Sequence, residues 1–172
     1  MSTPDAIEAL GANLIDVAVV TSPFADKTGL NINVIKKLQD IVAAGNGFSY
    51  LKDKEISLHE LVKYPLICLQ NTTTTRNYLD HIFRQHNLLL RPDIELTSIN
   101  FVMPMVKNNL GIGFMQYATT KAEIEAGNIF RVNTKEQIPP RSICAVTASQ
   151  YETPEPVQRF IDSLLEKESV NI

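Results

Sequence analysis

The stretch PLICLQNTTTTRNYLDHIF, residues 65–83, decides the fold, because the hydrophobic period changes inside it. Pro65 to Leu69 is a short unbroken apolar run and reads as a strand. Further on, Tyr78, Leu79, Ile82 and Phe83 recur at the spacing of one apolar helix face. A strand that turns into an amphipathic helix within a few residues is the start of an α/β unit. The junction itself, Gln70 to Arg76 (QNTTTTR), gathers four hydroxyls and a guanidinium. A helix start offers N–H groups without intrahelical acceptors and a partial positive charge, so it attracts a carboxylate, phosphate or sulfate. Threonine hydroxyls add donors, and Arg76 in the first turn can add a charge-assisted bond. The plainer reading is that one Thr caps the helix and the others are solvated.

Moving outward, the same alternation continues on both sides. Downstream, residues 93–96 alternate as a strand, and Ser98 caps a helix whose apolar face is Phe101, Val102, Met105 and Val106. Pro104 lies inside that helix and should bend it. Asn108 and Asn109 suit a left-handed cap, and residues 110–115 form the next strand. A helix over 118–126 stops at Gly127; strands follow at 129–132 and 142–148, then a helix over 154–167. Upstream, residues 53–63 read as a short helix with Ser57 and Glu60 as a capping box. Residues 38–44 are a weak apolar run and residues 15–20 a buried strand, preceded by a helix over 3–10. Strands and helices joined by short connections predict parallel strands, with ligand-binding loops at their carboxyl ends.

Composition narrows the function classes. The 172 residues carry 16 Lys+Arg against 19 Asp+Glu, a net charge of −3, which excludes a strongly basic nucleic-acid binder. No apolar run reaches the roughly 20 residues that span a bilayer. The three histidines and two cysteines show no metal-ligand spacing, so no metal and no cofactor is expected. Cys68 and Cys144 sit in apolar runs and read as buried thiols of a cytosolic protein. No nucleophile elbow or phosphate-loop pattern is present, so catalytic residues are expected to be none; Gly111 and Gly113 read as close-packing positions. Charge is also uneven along the chain: net −1 over 1–52, +1 over 53–141 and −3 over 142–172. That division fits two lobes, one built from both ends of the chain.

The order of these pieces resembles the effector-binding domain of LysR-type transcriptional regulators. The best-matching stretches are LIDVAVVTSP (14–23), ISLHELVKYPLICL (56–69), TTTTRNYLDHIF (72–83) and IELTSINFVMPMVKNNLGIGFM (94–115). IEAGNIFRV (124–132), PPRSICAV (139–146) and PVQRFIDSLLE (156–166) complete them. The resemblance implies a two-lobe periplasmic-binding-protein-like (type 2) α/β fold with a small, anionic effector in the cleft between lobes. Lobe I would be 1–52 plus 142–172, and lobe II 53–141. It also implies that the site is lined by Asn71, Thr72, Thr73, Thr74 and Arg76, by Thr97 and Ser98, by Phe114 and Met115, and by Thr21 and Ser22.

Two departures from the family pattern stand out. The DNA-binding winged helix-turn-helix with its linker helix is absent, as is the opening strand–helix–strand of lobe I. Met1-Ser2 reads as a start placed on a truncated fragment, with lobe I incomplete. DNA would be contacted only through the absent helix-turn-helix, and the homodimer or tetramer expected of the parent protein is in doubt for this fragment. The alternative is a solute-binding protein of a transport system, which shares the fold.

Overall fold

A computed structural model describes residues 3–24 and 28–169, with side chains to 166; Met1 and Ser2 lie outside the described residues. The chain divides into two units, each described by itself. Unit 1 comprises residues 1–38 and 140–172, and unit 2 residues 39–139. The sequence boundary at 52 is thus too late. Residues 39–52 belong to unit 2 because residues 40–45 pair on both sides with strands of that unit.

In unit 1, α1 (Thr3–Gly11) precedes β1 (Ala18–Thr21), β2 (Leu30–Leu38), β9 (Arg141–Ala148) and α6 (Glu155–Ser169). The strands form one sheet in the order β1-β9-β2, with β9 antiparallel to both neighbours. Ala18, Val20, Cys144 and Val146 face Ala6 and Leu10 of α1 in a small apolar cluster. Strand β2 escapes sequence reading because its exposure alternates irregularly around a bulge between Val34 and Lys36. On α6, Ile161 is buried and Phe160 is exposed.

Unit 2 holds β3 (Asp40–Gly45), a 3-10 segment (Asn46–Leu51), β4 (Glu55–Ile56), α2 (Leu58–Leu61), β5 (Leu66–Leu69) and α3 (Thr74–Gln85). Then come β6 (Ile94–Leu96), a 3-10 turn (Ile99–Phe101), α4 (Val102–Lys107), β7 (Ile112–Gln116), α5 (Tyr117–Glu125) and β8 (Ile129–Thr134). Its six strands lie in the order β4-β8-β3-β7-β5-β6. Five run in one direction, and β3 alone runs counter, antiparallel to both β7 and β8. The expected parallel pairing therefore holds in unit 2 for every strand except β3, and fails in unit 1, where β9 runs antiparallel between β1 and β2. Strands β3 and β9 both follow a passage of the chain between units without a preceding crossover helix, and a parallel pairing needs such a crossover.

Alternate residues of the sheet feed two apolar layers. Val42, Leu66, Cys68, Ile112 and Phe114 pack with Tyr78, Leu79, Ile82 and Phe83 of α3. Ile41, Ala43, Ile67 and Met115 pack on the other side with Val102 and Val106 of α4. Phe101, expected on that apolar face, is instead exposed, because it lies in the 3-10 turn before α4 rather than in the helix. The capping box of Ser57 and Glu60 forms as expected, although its helix is confined to four residues and begins at Leu58. Asn109 and Gly127 adopt positive φ, ending α4 and α5. A Cβ on Gly113 would lie 2.7 Å from Val106 Cγ2, so this glycine lets α4 sit directly on the sheet.

Candidate functional site

In unit 2, β5, β6 and β7 run parallel, so their carboxyl ends share one edge of the sheet. The loops leaving β5 and β6 are tied together there: Gln70 N–H donates to the Leu96 carbonyl at 3.0 Å. Asn71 to Thr74 and Thr97 to Ser98 are thereby brought to neighbouring positions by register alone. Such an edge is where α/β sheets of this type hold ligands.

The side chains at this edge divide into committed and uncommitted groups. Thr73 is the N-cap of α3; its hydroxyl accepts from Arg76 N–H at 3.2 Å and donates to the Gln70 carbonyl at 2.9 Å. Ser98 caps the following 3-10 turn, accepting from Asn100 N–H at 3.3 Å. Asn71, Thr72 and Thr97 are exposed, and their side chains make no hydrogen bond among the described residues. Thr74 is half-buried in the first turn of α3 and has a partner of its own.

Arg76 departs from the role the sequence assigns it. It is 6% exposed, and its guanidinium is shared among four acceptors. Nε donates to Asp80 at 2.9 Å, Nη1 to Glu95 at 2.7 Å and to the Leu69 carbonyl, and Nη2 to the Leu90 carbonyl. Desolvation by itself favours the neutral form, but the bonds to Glu95 and Asp80 outweigh it, and the net shift of the guanidinium pKa is upward. Arg76 thus clamps β5, α3, β6 and the 88–91 segment together, and its donors point into protein rather than toward a ligand.

Phe114 and Met115 also depart from expectation. They are 4% and 3% exposed, one in each apolar layer, with Phe114 edge-on to Phe83 at 5.9 Å. They belong to the core because β7 is covered on both faces. The residues that reach the strand-end edge from β7 are Gln116, half-buried, and Tyr117, exposed and starting α5. Their place just past an apolar strand is the only sequence signal they carry. In unit 1, Ser22 closes the β1–β9 ladder: its N–H donates to the Ser142 carbonyl and its hydroxyl accepts from Ser142 N–H, both at 2.8 Å. Thr21 is half-buried, with no side-chain hydrogen bond among the described residues.

Among the described residues no cluster of His, Cys, Asp and Glu could hold a metal ion. Cys68 and Cys144 form no disulfide, and both are buried. Burial pushes the Cys68 thiol up to about 12, against the lowering effect of Arg76. Its neutral form is therefore favoured by folding, and this contribution to stability is complete below pH 9 and lost as pH rises toward 12. In the native protein at pH 8, a thiol reagent should titrate neither cysteine, and both should react after denaturation. One fast-reacting thiol in the native state would show that a strand opens.

A model of the LysR substrate binding domain matches residues 1–169. The HTH-type transcriptional activator CmpR of Synechocystis is 29% identical over 111 residues, which are 63% of this chain and 36% of that protein. The chain therefore spans about a third of that relative's length. The regulatory domain of CcmR from Synechocystis PCC6803, in complex with 2-PG, superposes with a TM-score of 0.80 at 17% identity, covering 98% of this chain and 80% of that one. The effector binding domain of QuiR, in complex with shikimate, gives 0.76 at 18%, covering 98% and 79%. These two likenesses show the fold. No helix among the described residues is long and apolar enough to cross a membrane.

Proposed function

Because the chain belongs to the LysR substrate binding domain family, we propose that it senses a small anionic effector at the strand-end edge of unit 2. One observation carries this reading: Asn71, Thr72 and Thr97 present uncommitted polar groups beside the start of α3, on loops tied together by the Gln70–Leu96 bond. Two hydroxyls and an amide can donate to an oxyanion, and the partial positive charge of the 12-residue helix favours negative charge there. Thr21 is the corresponding candidate in unit 1. That domains of the same fold are found with shikimate and 2-PG supports a small, polar effector.

Binding would favour one conformation of the domain over another and so change how the parent regulator engages DNA. DNA contact belongs to a helix-turn-helix outside this chain, and a homodimer or tetramer belongs to the parent. A cytoplasmic site of action follows from that role, and no catalysis is part of it. The family match and the CmpR relative weigh against the transport-protein alternative.

The test is a calorimetric screen of small carboxylates, amino acids and sulfur or phosphorus oxyanions against the chain and the parent regulator. Thr72→Val and Thr97→Val should each weaken effector binding at least about tenfold, the value of one lost charge-assisted hydrogen bond, without lowering the melting temperature. Thr73→Ala is the wrong probe, since loss of the cap costs about 1 kcal/mol of stability by itself. Unchanged effector affinity in both valine variants overturns the assignment.

A further inference from the structure

Along the flank of α3, from Asn71 just ahead of the helix to Arg84 in its last turn, a cavity of about 410 Å³ opens between the helix and the segment 89–91. That volume falls at the lower end of the ~300–1,000 Å³ typical of small-molecule sites. Arg76, Arg84 and Arg91 all line it, together with the carboxylate of Asp80, which Arg76 engages. Arg76 is neutralised by Asp80 and Glu95. Arg84 and Arg91 are exposed, and neither side chain forms an ion pair or hydrogen bond among the described residues.

Two uncompensated guanidiniums bordering one cavity call for a reason. Composition supplies none, because unit 2 holds ten Lys+Arg and ten Asp+Glu. Arg84 lies in the last turn of α3, where the helix dipole favours a cation, but Arg91 lies beyond the helix and gains nothing from it. Like charges facing one space repel, and an anion placed between them turns that repulsion into attraction. Asn77 adds a second kind of donor, and exposed Leu89 adds an apolar surface for a carbon skeleton.

We propose that this cavity is a second anion site, in which Arg84 and Arg91 grip the oxyanion group of a small phosphorylated or sulfated metabolite. It adjoins the proposed effector edge through Asn71, which lines the cavity, whereas Thr72 and Thr97 do not line it.

The experiment is a titration of the isotope-labelled chain with inorganic phosphate, and then with sulfate, followed by NMR. Saturable shifts are expected at the Arg84 and Arg91 guanidinium N–H groups and at the Asn77 side-chain amide. Arg84→Gln and Arg91→Gln should each weaken the phosphate constant at least about tenfold while the melting temperature stays unchanged, as befits exposed positions. The Thr72→Val/Thr97→Val double variant should leave that constant unchanged, which separates this site from the effector site. The proposal is overturned by shifts confined to residues 71–75 and 97–98, by the absence of saturation, or by insensitivity to both arginine variants. It is equally overturned if a DNA duplex shifts Arg84 and Arg91 and free phosphate does not.

Discussion

Replacing Arg76 by alanine should lower the unfolding free energy of unit 2 by about 3 kcal/mol. Removing one partner of a buried ion pair ordinarily costs about 3–5 kcal/mol, because the remaining charge and acceptors stay desolvated. Here the lower end applies: Asp80 is only 15% exposed, but the Glu95 side chain is 44% exposed and can be rehydrated. The carbonyls of Leu69 and Leu90 also lose a donor. Arg76→Lys should recover only part of the loss, since an ammonium cannot reach four acceptors with the geometry of a guanidinium. Urea unfolding followed by far-ultraviolet circular dichroism measures both variants. A ligand-gripping role predicts the opposite pattern, with weakened effector binding and intact stability, and that outcome would refute the clamp.

Gly45→Ala should cost about as much, roughly 3 kcal/mol, through overpacking rather than through charge. Gly45 ends β3, and a Cβ there would lie 2.3 Å from the backbone carbonyl of Val106 and 2.4 Å from Asn109 Oδ1. A carbonyl cannot rotate away as a side chain can, so α4 must lift from the sheet. Lifting it also strains the bond by which Asn109 Oδ1 accepts from Gly47 N–H at 2.7 Å. Val106, fully buried over Ile41 and Ala43, would lose contacts in the same step. A Gly45→Ala chain that melts like the parent would show that α4 has room to move.

These two positions mark the limit of what pattern reading reaches. The strand at 66–69, the apolar face of α3 and the Ser57–Glu60 capping box were legible because each rests on residues within a turn or two of one another. Of the candidate site residues, Asn71, Thr72 and Thr97 lie exposed at the strand-end edge. Thr73 and Ser98 take the plainer capping role that the same residues also allowed. Phe114 and Met115 were assigned to the site by resemblance, and their burial in the two apolar layers depends on what covers β7.

By itself, then, the sequence determined the family, the α/β class and the position of the strand-to-helix junction at 70–76, because these are written in local period, capping residues and the order of segments. The tertiary structure alone decided which strand runs counter, where one unit yields to the other, and what Arg76 does. The physical reason is sequence distance. Arg76 is neutralised by Glu95, 19 residues away, and held by Leu90, 14 away. Gly45 is made indispensable by Val106. Such partners meet only when the sheet is assembled, and no local pattern of hydrophobic and polar residues records which of them will meet.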